Sequence, residues 1–308
     1  MADVIAGIKK NLVYEANAST AAIKSDISLL REFDSGQEAL VSKWGKIGGY
    51  SAFMIFGGVF VGFGIGFGLG IDPDREAGAF GWCILTPPFI AFVLAITALV
   101  KWQSAKRMDM DNRRYEAVDR LLTLLQTDMA SEATVSVKID LGPHNAHSKY
   151  ARRGKVNDWS VKYYVDPWLT INGRFVDGTK FTVSMIEKQQ DRSKWKTNAR
   201  GKTKHKSKTK RQSEAIVALK FKSEKYSHVD KIAGKLSGAL QLPDWADVKS
   251  IDATEESLSL RTSMRRPWGT IASKRKRPDR DAVELLSMMF LSLYQGLNLS
   301  RMIDKAQS

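Results

Sequence analysis

The side chains best placed for chemistry in this chain are cations. Residues 192–211 hold ten Lys or Arg and no Asp or Glu. Within that run Lys202, Lys204, Lys206, Lys208 and Lys210 alternate with other residues, and Arg211 follows. Alternate side chains of an extended backbone point to the same side, so an extended segment presents these lysines as one row. A row of that kind neutralises phosphate. Anionic lipid is one target, because each Lys or Arg close to an acidic leaflet contributes about 1 kcal/mol. Nucleic acid or another polyanion is the second, held by its backbone without base reading. Trp195 is the one aromatic residue in the run, so the stacking platforms of single-strand binders are sparse. The third reading is a solvated loop between two strands with no specific partner. Arg265-Arg266 and residues 274–277 add further basic zones, and the net charge is +15.

Other chemical signatures are incomplete. Gly201-Lys202-Thr203 echoes the end of a phosphate-binding loop, but the glycine needed five residues earlier is Lys196, and a lysine tract follows instead of an apolar helix. His144-Asn145-Ala146-His147, with Asp140 near, has the residue types of a metal site. It follows Gly142-Pro143 in a predicted loop and reads as two surface histidines. Cys83 is the single cysteine, with no partner for a disulfide and no paired histidine. These features predict a non-enzymatic protein without metal or cofactor.

Hydropathy sets the elements that carry these residues. Residues 47–71 and 80–100 contain no Asp, Glu, Lys, Arg or His. About 20 apolar residues in a helix cross a hydrocarbon core of roughly 30 Å, so the two stretches predict an integral membrane protein with a two-helix transmembrane hairpin. Lys43 and Lys46 precede the first span; Lys101, Lys106, Arg107, Arg113 and Arg114 follow the second. That bias places both termini on the cytoplasmic side of a plasma or inner membrane. Trp44, Trp82 and Trp102 stand at span ends, where indoles favour the headgroup zone. A dry hairpin inside a soluble protein is the alternative, but an uncharged run of 25 residues exceeds ordinary core helices.

Gly58, Gly62, Gly66 and Gly70 recur every four residues and share one helix face, which lets another backbone approach closely. The partner is the second span or a neighbouring copy. Gly48, Gly49, Gly57, Gly64 and Gly68 add small surfaces that favour a homo-oligomer. A pore is the sharper alternative, though the spans offer only Tyr50, Ser51, Thr86 and Thr97 as polar lining. Pro87-Pro88 either starts the second helix or kinks it.

Residues 1–46 form a loosely amphipathic segment with Ile5, Ile8, Leu12, Ala16, Ile23, Ile27 and Leu30 as a stripe. Residues 102–130 carry a heptad-like stripe of Met108, Tyr115, Val118, Leu122, Leu125 and Met129, expected as a helical stalk continuing the second span or as a helix packed on its own domain. From residue 131 the period changes to two. Val135, Val137, Ile139 and Leu141 define one strand; Trp159, Val161, Tyr163 and Val165 define another, broken by Asp166-Pro167. Residues 168–176 and 180–186 predict a hairpin turning at Asp177-Gly178. Residues 215–222 predict a strand, 229–240 a short helix, 248–251 and 258–264 a second hairpin. A closing helix carries Val283, Leu286, Phe290, Leu293 and Leu297, with Asp279 or Asp281 at its start. Residues 131–308 thus read as a C-terminal cytoplasmic α+β domain with an antiparallel sheet and a basic loop at 191–212.

The functional expectation is a membrane-anchored scaffold or adaptor. It self-associates through its glycine-rich hairpin and contacts anionic lipid or a protein partner through the basic domain. A small oligomeric channel or membrane-permeabilising effector gated by that domain is the first alternative, and a membrane-tethered polyanion or nucleic-acid binder the second.

Overall fold

A computed structural model describes residues 2–226, 228–231, 234, 236, 238, 240–270 and 280–307. The chain forms two compact units: Arg31–Asp109, and Met1–Leu30 together with Met110–Ser308.

The first unit is dominated by two helices, the apolar part of α2 (Thr20–Gly68) and α3 (Ala77–Arg107). Gly45 lies against Trp102, Gly48 against Ala98, Gly58 against Pro88, Gly62 against Cys83 and Ile84, and Gly66 against Phe80. The pairing runs antiparallel along both helices, and glycine brings the two backbones into contact. Gly58, Gly62 and Gly66 therefore face the second helix of their own chain. Gly70 does not join this seam. It sits at φ +70° and stops α2, where Ile71 N–H donates to Gly66 O at 3.2 Å and Gly70 N–H to Phe67 O at 3.0 Å. That is the Schellman arrangement, in which a left-handed glycine satisfies the last carbonyls of a helix.

Helix α3 runs unbroken through Pro87 and Pro88. Proline lacks an N–H, which frees the carbonyls four residues back, on Cys83 and Ile84. Gly62 approaches the Cys83 carbonyl from the facing helix. Phe80 packs edge-on against Phe63 and Phe67 at 5.8 and 5.1 Å, closing the turn end of the hairpin.

Among the described residues three helical stretches, not the expected two, are long and apolar enough to cross a membrane: Thr20–Gly68, Ala77–Asp128 and Ala282–Met302. The third is more than half buried, because its apolar stripe faces a sheet within the second unit. Length and composition do not separate a helix wrapped by its own domain from one wrapped by lipid.

The second unit is built on an eight-stranded antiparallel sheet in the order β1-β2-β4-β5-β6-β8-β7, with β3 also paired to β4. The strands are β1 (Val13–Ser19), β2 (Thr134–Asp140), β3 (Tyr150–Val156), β4 (Trp159–Arg174), β5 (Lys180–Thr197), β6 (Thr203–Lys220), β7 (Ala246–Ala253) and β8 (Ser257–Met264). Helix α5 (Ala282–Gln307) packs on β6 and β8, and α4 (Asn112–Leu125) packs on α5. Asp281 caps α5, accepting from Val283 N–H at 3.0 Å, and pairs with Arg120 of α4 at 2.9 Å. Along β5 the odd-numbered Phe181, Val183 and Met185 are buried under the helices, while the even-numbered side chains form the sheet's open face.

Several expectations are corrected. The N-terminal stripe is not one helix: α1 (Ala2–Asn11) ends at Leu12, φ 56°, and Ala16 lies in β1. The stalk is not continuous with α3. Asp111 restarts the chain as the cap of α4, accepting from Arg113 N–H at 3.2 Å, and the apolar stripe of α4 is buried in its own domain. Asp166-Pro167 does not break its strand; β4 passes through with a register shift between Pro167 and Leu169. The basic segment is not a loop but the outer half of the β5–β6 hairpin, closed by a turn around Gly201. The hairpin at Asp177-Gly178 and the β7–β8 hairpin form as expected. Of the helix expected over 229–240, Val229–Lys231 is a 3-10 turn, whereas Ile232 and Ala233 lie outside the described residues, as do 274–277 and Asp279.

Candidate functional site

The β5–β6 ribbon extends past β8, which pairs with β6 only as far as Ser213. Beyond that point the register sets Lys196 opposite Lys204, Lys194 opposite Lys206, Arg192 opposite Lys208 and Gln190 opposite Lys210. Directly paired residues share a face, so this side carries seven Lys or Arg and no carboxylate. Like charges set opposite one another are unfavourable by about 0.2–1 kcal/mol per pair. The other face holds the ribbon together: Trp195 packs on His205 at 4.9 Å, Thr197 and Thr203 hydroxyls meet at 2.9 Å, and Thr209 donates to Asp191 at 3.0 Å.

Of the residues expected to meet an anion, Lys204, Lys206, Lys208 and Lys210 share the cationic face. Lys202 belongs to the turn, where its N–H donates to the Asn198 side chain at 2.9 Å. Arg211 lies on the opposite face and donates to Gln189 at 2.9 Å. The structure adds Arg192, Lys194 and Lys196, which join the same face through the cross-strand register.

At its root the cationic face deepens into a trough of about 1280 Å³. Lys188, Arg192, Lys208 and Lys210 line its floor; Arg152 and Tyr163 flank it on the β3–β4 side, Arg265 and Arg266 beyond the end of β8. Among the described residues no Asp or Glu lines it. Lys188 pairs with Glu214 at 2.5 Å and Arg265 with Asp247 at 3.0 Å. Arg192 instead donates to Gln190, and Arg152 lies 4.5 Å from the Tyr163 ring; among the described residues neither is paired with a carboxylate.

Behind the trough, on the core side of β5, lies a buried ion cluster. Glu187 and Lys188 are neighbours on one strand and point to opposite faces of the sheet. Arg114 of α4 is fully buried; its Nη2 contacts Asp166 of β4 at 2.5 Å and Glu187 at 3.1 Å, and its Nη1 donates to the carbonyls of Asp140 and Gly142. Lys149 reaches Asp140 at 2.9 Å and Asp166 at 3.0 Å. Trp268 donates its indole N–H to Glu187 at 2.8 Å and stacks on Trp168 at 5.3 Å. His144 meets Glu187 through Nδ1 at 2.5 Å. Asp166 and Glu187 both lie against His144 Nδ1, at 3.2 and 2.5 Å, and two carboxylates beside an imidazole favour its charged form.

Charge balance agrees. Arg113, Arg114 and Lys149 face the four carboxylates of Asp111, Asp140, Asp166 and Glu187, and a protonated His144 makes the set neutral. Burial disfavours the imidazolium, but hydrogen bonds to Asp166 and Glu187 outweigh it and hold the His144 pKa above 6.5. Burial likewise disfavours the Glu187 carboxylate, yet His144 and Arg114 hold its pKa below 4.5. His144, Asp166 and Glu187 offer donor atoms within 4.8 Å of one another, a spacing suited to a metal ion. Arg114 Nη2 already lies against all three and supplies the positive charge there.

The expectation of two surface histidines thus fails for His144, whose side chain is 13% exposed, and holds for His147, which is exposed. Arg114 and Glu187 escaped sequence reading because 73 residues separate them. The available signal was an arginine beside Tyr115 on the apolar stripe of α4.

A pH dependence follows. A raised His144 pKa stabilises the fold fully below 6.5, and that stabilisation is lost as pH climbs through the raised value. The lowered Glu187 pKa stabilises above 4.5, and that contribution is lost as acid takes pH through the lowered value. The second unit should therefore unfold at highest denaturant near pH 4.5–6.5, with a declining midpoint at higher pH. His144→Gln should remove the alkaline decline; urea titrations across pH check both.

Comparison of this chain with protein-family models, curated proteins and solved structures finds no match.

Proposed function

We propose that this protein is a membrane-anchored, non-enzymatic adaptor. Its apolar hairpin fixes it in a bilayer with both termini cytoplasmic, and the open face of its sheet receives a phosphate-rich polyanion. The observation that carries the reading is the ribbon register, which stacks Arg192, Lys194 and Lys196 against Lys208, Lys206 and Lys204 without an interleaved carboxylate. The stacked like charges are mutually unfavourable, with only Lys194 relieved by Asp158 at 3.8 Å, and an anion laid across the face would offset the rest. Anchoring is supported by the apolar surface of the first unit, where Phe53, Phe56 and Phe60 are more than three-quarters exposed, an arrangement suited to lipid contact. The two units divide the work, one holding the membrane and the other presenting charge.

The reading predicts that alkaline carbonate leaves the protein in the membrane pellet and that detergent releases it. It also predicts tight retention on immobilised polyphosphate at low salt. Replacing Lys204, Lys206, Lys208 and Lys210 by Gln should cut the salt slope of that binding by about 3–4, close to one per phosphate contact. An unchanged slope would dismiss the polyanion reading.

A homo-oligomer is the second reading. A methyl added at Gly57, Gly64 or Gly68 would meet nothing within 4 Å, so these positions leave small surfaces open for another copy. Mass photometry in nanodiscs tests it.

A further inference from the structure

We infer that the polyanion is duplex DNA, held by its phosphates in the trough with the ribbon laid against it. This rests on the adaptor reading above and names the ligand of the same face.

Shape favours a rod over a sheet. The trough is concave, with arginines on both margins, Arg152 on one side and Arg266 on the other. A bilayer is flat on this scale and meets the rims, whereas a rod enters and reaches Arg192, Lys208 and Lys210 on the floor. Width favours a duplex. From β3 to β8 the sheet order crosses β4, β5 and β6. At about 4.8 Å per strand the margins stand about 19 Å apart, too wide for one extended strand to touch both. The ribbon favours B-form geometry. A two-stranded β-ribbon fits the major groove of B-DNA, about 12 Å wide, while the major groove of A-form RNA is deep and narrow.

The residue types define what is read. The outer cationic face offers only Lys and Arg beyond Gln190 and Gln212, and Trp195 lies on the opposite side. The aromatic rings beside it, Tyr163 and Trp159, are each covered by a cation, Arg152 at 4.5 Å and Lys194 at 4.9 Å, so neither presents a bare stacking platform to a single strand. The contacts are to phosphate, which fixes position without reporting sequence. Five trough cations (Arg152, Arg192, Lys208, Lys210 and Arg266) remain after those paired with acids or turned away are set aside.

The test uses the full chain in nanodiscs of phosphatidylcholine alone, with fluorescence anisotropy of a labelled DNA duplex. Duplex DNA should bind with a log affinity against log salt slope of about −7, at 0.9 per phosphate for the five trough cations and Lys196, Lys204 and Lys206 of the ribbon. Affinity should not vary with sequence. Duplex RNA and single-stranded DNA should bind at least about tenfold more weakly. The Arg152→Gln/Arg266→Gln variant should lower the slope by about 2. Arg152→Lys, which keeps the charge, should leave it unchanged and so separates lost contact from lost folding. Equal binding of the three nucleic acids, or an unchanged slope in the Gln variant, overturns the inference. Flotation with phosphatidylserine vesicles but no DNA binding overturns it too, and leaves the polyanion reading standing. Binding to neither DNA nor acidic vesicles overturns both.

Discussion

Arg114→Ala should unfold the second unit. The arginine is wholly buried and its guanidinium touches Asp166, Glu187 and two backbone carbonyls from separate elements. Removing it leaves two carboxylates inside the protein without their main counter-charge. Breaking a buried pair in this way costs about 3–5 kcal/mol, against a total stability of about 5–15 kcal/mol for a domain. Lys149 and a protonated His144 remain, but Lys149 reaches Asp166 and not Glu187. Near-UV circular dichroism reports the Trp168–Trp268 stack, whose rings lie 5.3 Å apart beside the cluster. In detergent at pH 6 the variant should lose that signal at much lower urea than the parent. Arg114→Lys should recover little, because one ammonium cannot reproduce a planar fork between two carboxylates and two carbonyls. The triple change Arg114→Met, Asp166→Asn, Glu187→Gln should recover much of the loss, because no buried charge is left without a partner. A single-variant midpoint within about 0.5 kcal/mol of the parent would mean that the cluster carries little of the fold.

The cluster shows where sequence reading stops. Strands β2 and β4 and helix α5 announce themselves through period, because Val135, Val137 and Ile139 all meet the same core. The two apolar stretches declare their length. A network such as Arg114–Asp166–Glu187–His144 has no period; its members meet only because the sheet order brings β2, β4 and β5 under one helix. The stalk expectation fails for a related reason. The heptad-like spacing around Tyr115 and Leu122 is real, but Asp111 breaks it, capping a new helix, and the stripe finds its partners in its own domain. The lysine alternation was visible and implied a shared face if extended. The opposite strand, which doubles the row with Arg192, Lys194 and Lys196, required the register of a hairpin whose turn is polar and whose arms carry little apolar patterning. Charge patterning points to a polyanion as the proposed ligand; pairing supplies the shape on which the proposal of a duplex rests.

Gly62→Ala should separate the two apolar helices, and its effect should exceed that of any other single glycine in the seam. A methyl there overlaps the Cys83 carbonyl and comes within 2.5 Å of Ile84 Cα, both backbone atoms that cannot rotate away. Gly58→Ala meets Pro88 backbone at 2.9 Å and should follow closely. Gly66→Ala meets the Phe80 ring at 2.6 Å, and a ring can turn, so the cost should be smaller. Gly57→Ala and Gly64→Ala meet nothing within 4 Å and should be neutral or stabilising, since alanine favours a helix over glycine by about 1 kcal/mol. Overpacking of a tight contact costs roughly 1–3 kcal/mol, and lost Cα–H···O contact adds to it. Titrating detergent-solubilised protein with dodecyl sulfate, followed by Trp82 and Trp102 fluorescence, ranks the variants. The ranking also separates two uses of the glycines. If Gly62 holds the hairpin, Gly62→Ala lowers the unfolding midpoint of monomer and oligomer alike. If it instead holds copies together, mass falls to that of a monomer while the hairpin midpoint stays put, and the seam between α2 and α3 would then not be what the four-residue spacing serves.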